Sequence, residues 1–474
     1  MNLATVKLVY FLGVGGIGMS AIARYFHLRS VKVMGYDKTQ TPLTLELSKE
    51  GIEIHYSDLG SELESLQLMP ESTLVIYTPA IPKDHQELLW FQQHTFTLLK
   101  RSQVLGWITD AYRTIGVAGT HGKTTTSTLI AHLLKQSTTG CAAFLGGIST
   151  NYQTNLLTGN AHLDPSKQYM VVEADEFDRS FLTLHPSIGI ITSTDADHLD
   201  IYGEHSALLD SFAAYASQVR DLLIIKQELE LSKILRSLKN ASHRILTYSL
   251  HENADAHAEN IRISKDQYFF DLHYAKKIIA NLYLGIPGLH NVENAIAASV
   301  AALEAGINEE ELRTGLATFK GVKRRFEYII QQQNRIFIDD YAHHPEELNA
   351  ILSSVKQMYP ERKITAIFQP HLYSRTRDFA EGFSKSLSLV DDIVLLDIYP
   401  ARELPIPGVS SAMLLTQISA PEKALCARED VLSVIAQKNP EVLITVGAGD
   451  IDQLVEPLRQ LLNSLTPRPY NGIR

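Results

Sequence analysis

The sequence predicts an α/β protein made of three successive parallel-sheet segments. Three observations carry that expectation. Strand-like and helix-like runs alternate along the whole chain, the pattern of parallel sheets covered by helices. Two glycine-rich turns, at 13–18 and 116–122, each stand between an apolar run and a helical one. Polar and charged clusters recur directly after apolar runs, where α/β sheets gather their functional groups.

The first segment, 1–107, begins with the strand Val6–Leu12, turns through glycines, and continues with the helix Met19–Leu28 and the strands Val31–Tyr36 and Thr73–Tyr77. Gly13-Val-Gly15-Gly16-Ile-Gly18 follows the pattern G-x-G-x-x-G, and Asp37 closes the next strand. Taken alone this is a dinucleotide fingerprint, with Asp37 reading a ribose hydroxyl. A glycine turn at a helix N-terminus binds any diphosphate, including that of a nucleotide sugar, and a tight turn without ligand is the plain alternative.

The second segment, 108–320, opens with the strand Arg113–Ala118 and the stretch Gly116-Val-Ala-Gly119-Thr120-His121-Gly122-Lys123-Thr124-Thr125-Thr126, read as the phosphate loop G-x-x-x-x-G-K-[ST]. Backbone amides converge on an anion there, Lys123 adds charge near the outer phosphates, and Thr124 offers a hydroxyl to Mg²⁺. The helix Thr125–Lys135 would point its N-terminus at the phosphates. Glu173 ends the strand Tyr169–Val172 and is the favoured metal-linked carboxylate, with Asp175, Glu176 and Asp178 competing in the same loop. The strand Ile188–Thr192 leads to Asp197-His198-Leu-Asp200, where His198 reads as a metal ligand rather than a surface or capping residue. Asn291 and Asn294 share one face of the helix Asn291–Ala305 and can grip a purine or phosphate, although N-capping by Asn291 is the stronger reading of these residues alone.

The third segment, 321–474, alternates the apolar runs Ile336–Ile338, Ile364–Phe368, Ile393–Leu396 and Val442–Val446 with helices such as Pro345–Met358. Lys323-Arg324-Arg325-Phe326 stands at the boundary as a basic linker. Asp339-Asp340-Tyr-Ala-His343-His344-Pro345 can bind metal or contact substrate, and Arg375 and Arg377 suit a phosphate or carboxylate.

Composition narrows the function. Hydrophobic content of 45% and charged content of 20% over 474 residues are those of a soluble globular protein of several domains. A net charge of −10 argues against non-specific nucleic-acid binding. Cys141 and Cys426 are the only cysteines and lie far apart, which suits the cytoplasm and offers no zinc quartet. The apolar stretch after Lys7 imitates a secretory signal, but its glycines favour strand–turn–helix, and no long apolar run predicts a membrane span.

Six motifs in order carry a resemblance: Gly119-Thr-His-Gly-Lys123-Thr-Thr-Thr, Glu173-Ala-Asp-Glu, Asp197-His198-Leu-Asp, His290-Asn291-Val-x-Asn294-Ala, Arg324-Arg325-Phe, and Asp339-Asp340-Tyr-Ala-His343-His344-Pro. Together, and over essentially the whole chain, they resemble the Mur ligases of peptidoglycan synthesis. The first glycine loop and Gln369-Pro-His371 with Ser374-Arg375-Thr are most similar to the alanine-adding branch. The resemblance implies three domains: a Rossmann-like one for a UDP-sugar, a central phosphate-loop ATPase-like one, and a Rossmann-like carboxyl-terminal one that closes over ATP. It implies an ATP-dependent ligase, with Mg²⁺, that activates the lactyl carboxylate of UDP-N-acetylmuramate as an acyl phosphate and transfers it to L-alanine. The partners are those small molecules, with no nucleic acid and no membrane, and the protein is a monomer or homodimer.

By the same resemblance, Lys123, Glu173, His198, His343 and Arg375 are catalytic, and Thr124, Glu173 and His198 hold metal. Gly119 to Thr125, Asn291, Asn294, Arg325 and Asp340 bind ATP. Gly13, Gly15, Gly16, Gly18, Asp37 and Thr78 line the UDP-sugar site. Two departures stand out. No lysine lies between Arg179 and Lys226, where sibling ligases carry a modified one, and Leu372 replaces a frequent arginine, so one anionic contact is either missing or supplied from elsewhere, for instance by Arg377. Three alternatives remain: a recycling ligase that joins a preformed peptide to the same sugar, an NAD-dependent enzyme using the first glycine loop, and a non-catalytic nucleotide-binding regulator.

Overall fold

Apolar runs of four to six residues dominate the strands, and each run is buried on both faces, as parallel sheets require. The computed structural model describes residues 5–196, 199–238, 243–251, 253–264, 267–401 and 403–467. The strands form three sheets.

The first sheet holds β1 (Leu8–Leu12), β2 (Lys32–Tyr36), β3 (Glu53–His55), β4 (Thr73–Tyr77) and β5 (Thr97–Lys100), all parallel, in the order β3-β2-β1-β4-β5. Strand order reverses between β1 and β4, so the crevice for a ligand opens at their carboxyl ends.

The second sheet comprises β6 (Arg113–Ala118), β7 (Cys141–Ser149), β8 (Thr154–Leu157), β9 (Tyr169–Glu173), β10 (Ile188–Ile191), β11 (Leu222–Lys226), β12 (Arg244–Ser249), β13 (Ala256–Ser264), β14 (Gln267–Tyr274) and β15 (Lys277–Leu284). Their order is β15-β14-β13-β12-β11-β10-β6-β9-β7-β8. β6 lies between β9 and β10, parallel to both, with Val117 opposite Glu173 and Ala118 opposite Ile191. The third sheet contains β16 (Glu327–Gln332), β17 (Arg335–Asp340), β18 (Ile364–Phe368), β19 (Asp392–Leu395), β20 (Glu422–Leu425) and β21 (Val442–Val446), in the order β16-β17-β21-β18-β19-β20. Only the edge pair β16–β17 is antiparallel there.

Chain contacts divide the protein into two compact units, one of residues 1–259, 271–280 and 294–317, the other of 260–270, 281–293 and 318–474. The first sheet and most of the second share the first unit because one apolar cluster joins them. It runs from Val9 and Phe26 to Phe144, Leu156 and Phe212, and Tyr25 packs on Phe144 at 5.5 Å between ring centroids. Arg24 crosses the same contact, donating to Asn155 at 2.6 Å and to Glu50. The third sheet has its own core around Phe337, Ile367, Leu443 and Leu458. Among the described residues no helix is long and apolar enough to cross a membrane, and both cysteines are buried free thiols.

Candidate active site

In the first unit, the carboxyl ends of β6, β9 and β10 converge on the helix Lys123–Lys135. Gly116 is not part of that loop. Five residues separate it from Gly122, one too many for G-x-x-x-x-G-K, and it lies inside β6 with its carbonyl accepting from the Tyr215 hydroxyl at 2.8 Å. The loop proper is Gly119-Thr-His-Gly-Lys. Gly119 has φ +143°, and a Cβ there would lie 2.0 Å from the Thr192 hydroxyl, so no other residue fits. The start of the loop after β10 braces the turn. Ser193 Oγ meets Thr120 Oγ1 at 2.9 Å and accepts from the His121 amide at 2.6 Å, while Thr192 donates to the His121 carbonyl at 2.5 Å. Gly122 heads the helix, Thr124 and Thr125 are buried in its first turn, and Thr126 donates to Asn294 Oδ1 at 3.2 Å. The Asn294 amide therefore reaches the phosphate-loop helix.

Lys123 folds back over its own loop. Its ammonium donates to the Gly119 carbonyl at 2.5 Å and pairs at 2.7 Å with Glu176, which is fully buried, while the lysine side chain keeps 12% exposure. Burial pulls the lysine down, but Glu176, Asp175 and Glu173 together more than offset this, so it sits above its ordinary value and stays charged. Burial pushes Glu176 up to about 7, with the Lys123 charge opposing the rise. The partner of Lys123 is thus Glu176, one of the competing loop acids, rather than Glu173. Glu173 closes β9 and lies against Gly146 of β7, where a Cβ would come 1.9 Å from its Oε2. His198 and Asp197 fall outside the described residues.

At the β1–β4 crevice, Gly13 faces Thr78, whose methyl would lie 2.8 Å from an added Cβ. Gly16 caps the helix Ile17–His27. Asp37 accepts from the Gly15 amide at 2.7 Å and from Thr39 at 3.2 Å, so its carboxylate holds the glycine turn itself. Gly18 lies beside Arg101, which also pairs with Asp175 at 3.4 Å. Arg101 links the first glycine turn to the acidic loop after β9. Sequence reasoning passed over it, since one arginine after an edge strand carries no signal.

In the second unit, Asp340 ends β17, level with Val446 of β21 and, through it, Phe368 of β18. Its two oxygens accept from the Phe326 amide at 2.7 Å and the Ala342 amide at 2.8 Å. Burial lifts its carboxyl from 3.8 to about 6 despite Arg325. The basic run is built in rather than a solvated linker. Arg324 pairs with Asp339 at 3.1 Å and donates to the Gly447 carbonyl at 2.6 Å, and Arg325 meets Glu347 at 3.4 Å. Glu347, one turn into the helix Pro345–Met358, also accepts from the His343 amide at 2.9 Å, and the His343 ring stands edge-on to His371 at 6.0 Å. Glu347 thus links two expected site residues, signalled only by its place in the first turn after His343-His344-Pro345. Arg375 is buried in the helix Tyr373–Asp378, where Glu403 takes the Ser374 amide at 2.9 Å. Arg377, two residues from Arg375 on the same helix, is exposed and pairs with its neighbour Asp378 at 2.7 Å. Asn291 is not an N-cap. The helix begins at Leu289, and the Asn291 amide donates to the Pro287 carbonyl at 2.6 Å.

Comparison with known proteins gives matches along the chain in order. Residues 8–113 match the Mur ligase family catalytic domain, 117–302 the Mur ligase middle domain, and 324–449 the Mur ligase glutamate ligase domain. A UDP-N-acetylmuramate–L-alanine ligase of Phocaeicola vulgatus is 49% identical over 98% of this chain and 100% of its own. One from Parabacteroides distasonis is 48% identical over 99% of this chain and 100% of its own. Among solved structures, a UDP-N-acetylmuramate–alanine ligase from Thermotoga maritima aligns with a TM-score of 0.80 at 28% identity, covering 96% of this chain and 99% of that one.

Proposed function

The chain belongs to the Mur ligase family, and from that premise we propose that it is the ATP-dependent ligase that joins L-alanine to the lactyl carboxylate of UDP-N-acetylmuramate in peptidoglycan synthesis. The observation that carries this reading is the buried anion cradle around Lys123, set in a chain whose full-length relatives bear that activity in their names. Those names favour a single amino acid over a preformed peptide as the acceptor.

We assign 1–107 to the UDP-sugar, 108–320 to ATP, and 321–474 to nucleotide and amino-acid recognition. A carboxylate is a poor electrophile at neutral pH, so one lactyl oxygen attacks the γ-phosphorus and the bond to ADP breaks. The amine of L-alanine then attacks the acyl carbon, the carbon–oxygen bond to phosphate breaks, and the nitrogen gives up a proton. Lys123 and the amides at the head of its helix hold the outer phosphates while charge shifts between oxygens. Gly13, Gly15, Gly16, Gly18, Asp37 and Thr78 shape the diphosphate turn. Asn291, Asn294, Arg325 and Asp340 serve the nucleotide, and His343 and Arg375 the carboxylate, acyl phosphate or amine.

Mg²⁺ fits this site. Three carboxylates act on the single charge of Lys123, which leaves a bound triphosphate short of positive charge. The Thr124 hydroxyl and the Glu173 carboxylate would hold the ion, with His198 as the expected third ligand, and it would neutralise charge on the phosphoryl group. The reaction places the protein in the cytoplasm, where ATP is available. Substrate labelled with ¹⁸O in the lactyl carboxylate tests the route: one label per turnover must appear in the released phosphate. Phosphate free of label excludes an acyl phosphate.

A further inference from the structure

We propose that His257, Glu259 and His273 form a Zn²⁺ site on the second sheet, apart from the phosphate loop. Among the described residues this is the group of three potential ligands whose donor atoms all lie within 4.8 Å of one another. His257 and Glu259 are two apart on β13 and so share a face, and His273 is on the neighbouring strand β14. Regular strands hold all three donors, which makes the spacing a property of the sheet.

The distances suit a tetrahedral dication. His257 Nε2 lies 3.3 Å from Glu259 Oε1, and His273 Nε2 lies 3.0 Å from Oε2. Ligands about 2.0–2.1 Å from zinc in a tetrahedron stand about 3.3 Å apart. The chemistry of the donors points the same way. With Nδ1–H of His257 donating to the Ala254 carbonyl at 3.3 Å, its Nε2 presents a lone pair to a carboxylate. A metal ion held between them would engage both lone pairs at once. One dication satisfies all three groups. Two imidazoles and a carboxylate select zinc over Mg²⁺, which prefers oxygen. Side-chain exposures of 15%, 33% and 22% leave room for entry and for a water as fourth ligand.

The bound ion would clip β13 to β14. The test uses full-length protein stripped with a chelator, then titrated with ZnCl₂ in saturating Mg²⁺ so that oxygen sites are filled. The wild type is compared with Glu259→Gln and His273→Gln, each checked for folding by circular dichroism. The expected result is one zinc equivalent in the wild type, weakened at least tenfold in each variant, with an X-ray absorption spectrum of nitrogen and oxygen ligands and no sulfur. Zinc also raises the melting temperature of the wild type but not of the variants. If His273→Gln does not fold, the more exposed Glu259→Gln decides alone. Equal zinc binding in wild type and variants, or no zinc equivalent bound by the wild type, overturns the proposal.

Discussion

Substituting Glu176 by glutamine separates what Lys123 does in the empty site from what it does for a nucleotide. In the free protein the two are paired at 2.7 Å. When the ammonium turns to the outer phosphates, the buried Glu176 loses its counter-charge and gains a polyanion as neighbour. A carboxyl already lifted to about 7 by burial rises further, so nucleotide binding takes up a proton. The sign follows: above pH 7 the free site must first acquire that proton, and affinity falls with rising pH, by about 1.4 kcal/mol or tenfold per unit. Glutamine has no proton to acquire. Glu176→Gln therefore binds a non-hydrolysable ATP analogue about tenfold more tightly than the wild type at pH 8, and about equally at pH 6, where Glu176 is mostly protonated. Isothermal titration between pH 6 and 8.5 reads both slopes, and titration of the γ-phosphate cancels because both proteins share it. Parallel slopes, or weaker binding by the variant at pH 8, would refute the idea that the nucleotide competes with Glu176 for Lys123.

Gly146→Ala places a methyl 1.9 Å from Glu173 Oε2 and must displace that carboxylate, so kcat should fall about a hundredfold while circular dichroism stays native. Unchanged kcat would remove Glu173 from the chemistry. Arg101→Ala deletes the guanidinium beside Gly18, and we expect KM for UDP-N-acetylmuramate to rise about tenfold with KM for ATP little changed. Equal rises in both constants would point to a general loosening of the unit. Asp340, lifted from 3.8 to about 6, binds its proton more tightly folded than unfolded. Its contribution therefore lowers stability as pH rises from about 4 to 6, by up to about 3 kcal/mol. Asp340→Asn should flatten that slope in thermal unfolding, and an identical slope would show that another group titrates.

The long parallel strands were legible because runs buried on both faces are continuously apolar: Thr73–Tyr77, Arg113–Ala118, Ile364–Phe368 and Val442–Val446 appear with the boundaries their patterns suggest. The region 244–284 was not, since its strands carry exposed and charged residues that resemble loop. The phosphate loop was legible at its Gly-Lys-Thr end, whereas Gly116, one residue too far from Gly122 to fit the pattern, belongs to the strand before it. Which acid of Glu173-Ala-Asp-Glu176 meets Lys123 depends on how the chain turns after β9, and composition does not encode that. Arg101 and Glu347 gain meaning only from groups brought beside them by folding, Asp175 and Gly18 for the first and Arg325 and His343 for the second.

Phosphate release from ATP in the presence of UDP-N-acetylmuramate, with and without L-alanine, tests the central claim most directly. The account predicts sustained release only with both substrates present, and its loss in Lys123→Ala with UDP-sugar binding retained. Release that ignores L-alanine but follows an added tripeptide would contradict it.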